Sequence, residues 1–320
     1  MKILHLEQLQ YPRETLHLLQ ENYQVFFFEC NSQESLYKHL KAQKYNAIFT
    51  RLGLSIDKKC LELQKETLKY IITPTTGLNH IDTEYAAELS VLILSLKGEA
   101  DFLSNVKSTA EHTWGLLLML IRNLKDATES VKFFKWGREN FLSDELSEKS
   151  LGVIGYGRLG KIIAKYGVAF DMKVKVFDIN KNIVNNLPVG VEYADLDEVL
   201  SKSDFIVLMI NYEIENTKFI GTTEFEKMKL GAYFINTSRG ELVDETALLD
   251  SLNTGKLKGA ALDVLHGDST WIGKVDTDNI LVKYAAQNSN LIITPHIGGY
   301  GINSIYKTRK FITQKFLNSI

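Results

Sequence analysis

Cysteine is scarce in this chain: Cys30 and Cys60 are the two cysteines among 320 residues. They show neither Cys-x-x-Cys spacing nor a nearby pair of histidines, which argues against a disulfide framework and a structural zinc site. No other residues have metal-ligand spacing, so no metal is expected. Two unpaired cysteines fit a reducing compartment, and the opening residues MKILHLEQLQ lack the apolar region of a signal peptide. We therefore expect a cytoplasmic protein.

Long apolar runs and an excess of one charge are also missing. The longest apolar run, residues 116–121, is far shorter than the roughly 20 residues that cross a bilayer, so no membrane association is expected. The chain has 37 basic and 39 acidic residues, which gives a formal net charge of −2. Such a balance does not favour a nucleic-acid partner. The length suits two domains in one soluble chain.

Apolar runs of strand length alternate with helical patterns throughout the chain. In the first hundred residues the helical candidates are 12–20, 32–42 and 56–66. A longer helical stretch at 108–124 precedes a second series, and 303–320 forms a last amphipathic helix. This alternation predicts an α/β fold with parallel, doubly wound sheets. The predicted strands are 3–6, 25–28, 47–50, 70–73, 91–95, 151–154, 173–177, 205–210, 232–236, 260–264 and 291–294.

A glycine pattern typical of dinucleotide binding follows one predicted strand. Residues 151–160 read LGVIGYGRLG, in which Gly155, Gly157 and Gly160 form Gly-x-Gly-x-x-Gly before a helical segment. Glycines there permit a tight turn, close approach of a pyrophosphate and close packing of helix on strand. An ordinary strand–turn–helix and a methyltransferase loop are the alternatives. The acidic residue that ends the next strand disfavours the first, and the downstream sequence disfavours the second.

Asp178 ends the strand that follows the glycine turn, in the sequence KVKVFD. A carboxylate at this position accepts hydrogen bonds from the adenosine ribose and repels a 2′-phosphate. The next two residues are Ile179 and Asn180, and the nearest cation is Lys181. The sequence therefore predicts NAD rather than NADP as the cofactor.

Three polar residues follow the last three predicted strands: Arg239, Asp268 and His296. Ligands of open α/β sheets bind at the carboxyl ends of strands, and an arginine fork matches a carboxylate. Singly, Arg239 could form a surface salt bridge, His296 could be a loop histidine and Asp268 could cap a turn. Their joint placement beside a cofactor turn indicates a catalytic site instead.

With these motifs in their observed order, the chain resembles the D-isomer-specific 2-hydroxyacid dehydrogenase family. The likeness runs from about Tyr70 to Gly299 and depends on the combination of segments rather than on any one of them. The segments are TTGLNHID (75–82), STAEHTW (108–114), GVIGYGRLG (152–160), NTSRGELVD (236–244), GKLKGAALDV (255–264) and TPHIGG (294–299).

The resemblance implies a Rossmann cofactor domain, 101–299, inserted into a flavodoxin-like substrate-binding domain made of 1–100 and 300–320. It implies an NAD-dependent oxidoreductase that transfers a hydride between nicotinamide and C2 of a small D-2-hydroxy acid or 2-keto acid. It also implies a homodimer that associates through the cofactor domains.

The resemblance also assigns site residues. Arg239 would bind the substrate carboxylate and carbonyl, and His296 would be the general acid and base. The backbone around Thr76 and Gly77 would bind the carboxylate, and Asp263 would hold the nicotinamide amide. The predicted cofactor-binding residues are Gly155, Tyr156, Gly157, Arg158, Leu159, Gly160, Asp178, Thr237 and Asp263.

The chain departs from the family pattern at three places. Asp268 stands where a glutamate is usual, which bears on the orientation of His296. Met209 and Asn211 replace a histidine and a proline after the fourth cofactor-domain strand, and Thr75 begins a turn that often reads Gly-Val-Gly. Asp268 and the missing histidine at position 209 motivate a second hypothesis, an NAD-sensing or interaction protein with little turnover, against which the presence of both Arg239 and His296 argues. A third hypothesis is an oxidoreductase that acts on a substrate such as formate.

Arg51 ends the third strand of the N-terminal domain, in FTRLG. From that position it would face the substrate and bind a distal anionic group. An exposed arginine without a substrate role is the alternative.

Overall fold

The computed structural model describes residues 1–320, which form two compact units. The sequence analysis assigns Gly267–Val275 to the domain 101–299, but in the structure this segment belongs to the other unit. The backbone N–H of Gly53 donates to Ser269 O at 2.8 Å, and this bond ties the segment to the loop after the third strand. Unit 1 comprises Met1–Val106, Gly267–Val275 and Tyr300–Ile320, and unit 2 comprises Lys107–His266 and Asp276–Gly299.

Unit 1 is built on a five-stranded parallel sheet with the order β2-β1-β3-β4-β5. This is the flavodoxin-like order, with its switch point between β1 and β3. Its elements are β1 (Lys2–His5), α1 (Arg13–Asn22), β2 (Gln24–Phe27), α2 (Gln33–Ala42), β3 (Ala47–Phe49), α3 (Lys58–Gln64), β4 (Tyr70–Ile72), α4 (Thr83–Glu88), β5 (Leu92–Leu94), α5 (Ala100–Leu103) and, at the end of the chain, α13 (Ile302–Leu317).

Successive residues of these strands enter two separate apolar cores. Leu4 and Ile48 belong to one core, whereas Ile3 and Phe49 belong to the other. Side chains of a strand alternate between the faces of its sheet, so apolar residues at every position fit a sheet that is covered on both sides.

The last helix, α13, is anchored to the rest of unit 1 by an ion pair and by aromatic packing. Arg309 on α13 forms a two-pronged ion pair with the buried Glu7, with Nη2–Oε1 and Nε–Oε2 distances of 2.7 and 3.2 Å. Phe316 lies edge-on to Phe49 of β3, with ring centroids 5.2 Å apart. Helix α13 therefore completes the apolar core that contains Ile3 and Phe49.

Unit 2 has a seven-stranded parallel sheet with the order β12-β11-β10-β9-β6-β7-β8. This is the Rossmann order 3-2-1-4-5-6 with one further strand, and its switch point lies between β6 and β9. Its elements are α6 (Ser108–Ile121), α7 (Leu124–Lys132), β6 (Ser150–Ile154), α8 (Arg158–Ala169), β7 (Lys173–Phe177), β8 (Val191–Tyr193), α9 (Leu196–Lys202), β9 (Phe205–Leu208), α10 (Thr222–Lys227), β10 (Ala232–Asn236), α11 (Glu245–Asn253), β11 (Leu257–Leu262), α12 (Ile280–Ala285) and β12 (Leu291–Ile293).

The structure confirms the predicted fold class of two doubly wound parallel-sheet domains. The strand β8 was not predicted, because its sequence Val-Glu-Tyr has an exposed glutamate at its centre and shows no apolar run. One strand was predicted at 260–264, whereas β11 runs from Leu257 to Leu262. None of the helices combines the length and the apolar composition that crossing a bilayer requires.

Candidate active site

The glycine turn joins β6 to α8 at the switch point of the unit 2 sheet. Gly155 has a φ of +96°, and a Cβ there would lie 2.6 Å from Met209 O at the end of β9. A Cβ on Gly160 would lie 2.0 Å from Gly155 O. Both positions therefore require glycine, because a side chain would separate the helix from the strands.

The same turn has room for a pyrophosphate. Gly157 is exposed, and a Cβ built there meets nothing within 4 Å of it. The first turn of α8 has no acidic residue of its own, and the positive end of a helix dipole favours a phosphate. The side chains of Tyr156 and Leu159 pack with the unit 2 core, and contact of their backbone with a cofactor stays a prediction. Arg158 is half-buried beside them.

Asp178 connects the glycine turn to the end of β7. Its Oδ2 accepts a hydrogen bond from Tyr156 N at 2.8 Å, and its Oδ1 accepts one from Asn180 N at 2.9 Å. Each carboxylate oxygen has two lone pairs, so both retain capacity for a ribose hydroxyl. Ile179 is 89% exposed and supplies no cation. The arrangement fits the cofactor that the sequence predicts.

Two alanine variants of the turn should separate folding from cofactor binding. Gly160→Ala should destabilise the apoprotein by about 1–3 kcal/mol or more, because its Cβ would overlap a backbone oxygen. Gly157→Ala should leave the Tm of the apoprotein within about 2 °C, since its Cβ enters open space, but weaken NADH binding at least about tenfold. Thermal unfolding and NADH fluorescence titration measure the two effects. An unchanged NADH affinity in Gly157→Ala would contradict the placement of the pyrophosphate.

Arg239 follows β10 in a loop whose conformation is fixed by hydrogen bonds between the Asn236 side chain and the loop backbone. Asn236 Nδ2 donates to Arg239 O at 2.9 Å, while its Oδ1 accepts from Ser238 N at 2.9 Å. The Arg239 guanidinium is half-buried, and its Nη1 donates to Ser238 O at 2.6 Å. A Cβ on Gly240 would lie 2.0 Å from the carbonyl carbon of Leu265. The Ser-Arg-Gly sequence therefore fits closely against the chain that follows β11.

Thr237 precedes this arginine and is buried. Its Oγ1 lies 2.7 Å from Oγ1 of Thr113 on α6. This hydroxyl pair attaches the loop after β10 to the helix that begins unit 2. Any contact of Thr237 with a cofactor stays a prediction.

Asp263 lies directly after β11, with 2% of its surface exposed. Its Oδ1 accepts hydrogen bonds from Thr294 Oγ1 (2.6 Å), Ile297 N (2.9 Å) and His112 Nε2 (3.2 Å). Its Oδ2 accepts one from Gly298 N at 2.6 Å and retains a lone pair for another donor. Burial alone would raise the pKa of this carboxyl, but the hydrogen bonds from His112, Thr294 and two backbone amides outweigh it and lower the pKa.

His296 lies in the segment that Asp263 binds. Its φ of +55° is left-handed, which is uncommon for residues other than glycine, although histidine adopts it more often than most side chains do. Its backbone N lies 2.9 Å from both Asp263 O and Thr294 O. The half-buried imidazole thus projects from a segment whose backbone is fixed to the end of β11. His112 lies in the segment STAEHTW (108–114), and no pattern in the sequence marked it as a functional residue.

The remaining predicted residues lie in unit 1. Thr75 Oγ1 donates to Gly77 O at 2.8 Å and so shapes the turn that carries Thr76. Asp268 follows Gly267, whose φ is +76°, in the segment that belongs to unit 1. Because Asp268 and His296 belong to different units, their pairing stays a prediction.

The Arg51 side chain forms hydrogen bonds within unit 1. It is half-buried, and its Nη1 and Nη2 donate at 3.0 Å to Leu52 O and Cys30 O. These two bonds anchor the guanidinium at the carboxyl end of β3. An arginine has five N–H donors, so others remain for a substrate group, and that role also stays a prediction.

The Rossmann order, the glycine turn and the aspartate after β7 define unit 2 as a dinucleotide-binding domain. The family model described as "D-isomer specific 2-hydroxyacid dehydrogenase, NAD binding domain" matches residues 114–298. The chain belongs to the D-isomer-specific 2-hydroxyacid dehydrogenase family, and its cofactor is NAD. Both the resemblance and the cofactor that the sequence predicted are thereby confirmed.

Known relatives support this membership over almost the whole chain. A Staphylococcus aureus (strain USA300) protein named as a 2-hydroxyacid dehydrogenase is 31% identical over 314 residues, 96% of this chain and 92% of that protein. The Archaeoglobus fulgidus D-3-phosphoglycerate dehydrogenase is 35% identical over 266 residues, which are 83% of this chain and 47% of that enzyme. The Aquifex aeolicus D-lactate dehydrogenase structure with NAD and lactic acid is 29% identical, with a TM-score of 0.82 over 99% of this chain and 94% of that one.

Proposed function

We propose that this protein transfers a hydride between NAD and C2 of a small D-2-hydroxy acid or 2-keto acid. The observation that carries the proposal is the placement of Arg239 and His296. They follow β10 and β12, and β11 between these strands contributes Asp263, which binds the His296 segment. All three strands belong to the sheet that carries the glycine turn. Bound nicotinamide would supply the hydride for reduction and accept it in oxidation.

Each residue has a distinct task in this mechanism. Arg239 binds the substrate carboxylate, because a planar guanidinium forms two parallel hydrogen bonds with it. In reduction His296 donates a proton to the oxygen on C2, and in oxidation the neutral ring removes that proton.

The other assignments belong to the same proposal. Unit 1 serves as the substrate domain, in which the Thr76–Gly77 backbone binds the carboxylate and Arg51 a distal anion. Asp268 orients the imidazole of His296. Asp263 also accepts a hydrogen bond from the nicotinamide amide. The cytoplasm is the proposed location, since both cysteines are free and buried.

The test is turnover with purified protein, NADH and a panel of 2-keto acids that differ in side-chain size and charge. We expect NADH oxidation with at least one of them and much slower oxidation without a keto acid. Tight NADH binding without turnover on any member would favour the NAD-sensing alternative. A product of the L configuration, determined by chiral chromatography, would contradict the stereochemistry that the family implies.

Cofactor preference should depend on Asp178. We expect Asp178→Ala to narrow the NAD over NADP preference in kcat/KM by about 1–3 kcal/mol, roughly fivefold to 150-fold, because the charge that repels the 2′-phosphate is lost. The same variant loses the hydrogen bond to Tyr156 N, so NADH binding should weaken as well. Lys181→Ala serves as the matched control and should leave the preference unchanged. Equal kcat/KM values for both cofactors in the unmodified protein would contradict the assignment.

We propose that the protein forms a homodimer through the segment 131–142 of unit 2. Phe134, Trp136 and Leu142 are 99%, 90% and 91% exposed, and α7 buries none of its residues. Exposed apolar side chains in such density are typical of a surface that another protein covers. In sedimentation velocity, Trp136→Glu should shift the protein from dimer to monomer, whereas Leu230→Glu at another exposed site should not. A monomeric unmodified protein would contradict the proposal.

A further inference from the structure

One face of α6 contacts both ends of the segment 294–298, which contains His296. Ser108 Oγ donates to Gly298 O at 2.7 Å. His112, one helical turn later, places its Nε2 3.0 Å from Thr294 Oγ1 and 3.2 Å from Asp263 Oδ1. Residues four apart lie on the same side of a helix, so both contacts come from one face.

The direction of these hydrogen bonds follows from the groups involved. Asp263 Oδ1 is a carboxylate oxygen without a proton, because the pKa of this carboxyl is lowered. The Thr294 hydroxyl has a single proton and lies closest to this oxygen, at 2.6 Å. His112 Nε2 must then carry a hydrogen that faces both oxygens, so it acts as the donor.

The segment that receives these contacts adopts a backbone conformation that is not favoured by itself. His296 has a φ of +55°, and such residues persist where surrounding interactions outweigh the strain. Here the amides of Ile297 and Gly298 donate to the Asp263 carboxylate, and the amide of His296 donates to Asp263 O. A Cβ on Gly298 would lie 2.8 Å from Asp263 Oδ2, so this close approach also requires glycine.

We propose that His112, with Ser108 beside it on α6, is a positioning residue for the catalytic imidazole of His296. His112 orients the Asp263 carboxylate and Thr294, and these groups hold the segment 294–298 in the conformation that directs His296. The inference rests on the proposed role of His296 in proton transfer. It adds a role for a helix that lies about 180 residues earlier in the chain.

The variants His112→Leu and His112→Gln form a matched pair. Glutamine retains an N–H donor near the position of Nε2, whereas leucine fills a similar volume without one. We expect His112→Leu to lower kcat for 2-keto acid reduction about tenfold to hundredfold, since a displacement of about 1 Å has that effect. The Kd for NADH should change less than about threefold, and His112→Gln should recover most of the loss. Full kcat in His112→Leu, or loss of NADH binding in both variants, would overturn the inference.

A double-mutant cycle tests whether His112 acts through His296. In a His296→Asn background, His112→Leu should cause no further loss of kcat, because the group that it positions is absent. A further tenfold loss would show a separate structural role and contradict the inference. Should His296→Asn by itself retain full activity, the proposed function of His296 would fail, which this design distinguishes from failure of the positioning role.

Hydrogen exchange provides a readout that does not depend on activity. The backbone amides of His296, Ile297 and Gly298 should exchange at least about tenfold faster in His112→Leu than in His112→Gln, with NADH absent. If His112→Leu folds poorly, Thr294→Val and Thr294→Ser give the same comparison at the neighbouring hydroxyl. Unchanged exchange in both the leucine and the valine variants would show that these donors do not hold the segment.

Discussion

Replacing Arg239 with lysine should lower kcat/KM for 2-keto acid reduction by about two to three orders of magnitude. An ammonium group retains the charge but not the planar pair of donors that matches a carboxylate. Binding of NADH should change less than about threefold, because the glycine turn lies at a different strand end. The loop itself should persist, since Asn236 bonds the backbone oxygen of Arg239 and not its side chain. Steady-state kinetics and NADH fluorescence titration measure these effects.

A matched control for this substitution is Arg122→Lys. Arg122 is an exposed residue at the end of α6 that contacts Ser143, and its kinetics should equal those of the unmodified protein. Retention of most activity in Arg239→Lys would show that Arg239 is not the carboxylate ligand. A tenfold loss of NADH affinity would instead place this residue in the cofactor site.

Replacing His296 with asparagine should lower kcat by about 10²–10⁴, the contribution of a positioned general acid. Asparagine is the suitable replacement because it tolerates the left-handed backbone, with a φ of +55°, better than alanine does. Stability should therefore change little, and circular dichroism with thermal unfolding verifies this. A His296→Asn variant with more than about a tenth of the original kcat would contradict a role in proton transfer.

The two reaction directions should respond oppositely to pH. Reduction needs the protonated imidazole, so its kcat/KM should fall with increasing pH, whereas oxidation needs the neutral ring, so its kcat/KM should rise. Both dependences should vanish in His296→Asn.

Much of this protein can be predicted from its sequence, because the signals are local. Strand and helix patterns, the glycine turn and Asp178 all lie within short stretches, and they predicted doubly wound parallel sheets and the cofactor NAD. The positions of Arg239 and His296 after strand ends are equally local. In each of these cases the chemistry depends on residues that are neighbours along the chain or on a rule about where parallel strands end.

Only the tertiary structure decided which side chains hold those residues in place. Asp263 receives donors from Thr294 and from His112, and no periodicity along the chain connects β11 with α6. The grouping of Gly267–Val275 with unit 1 likewise depends on contacts between distant segments, among them the backbone bond between Gly53 and Ser269 and the packing of Ile272 against the unit 1 core. The sequence by itself determined the fold class, the cofactor and the residues placed at strand ends, because local periodicity and chirality limit the topology. The support of His296 depends on directed hydrogen bonds between distant segments, and only the folded chain brings those segments together.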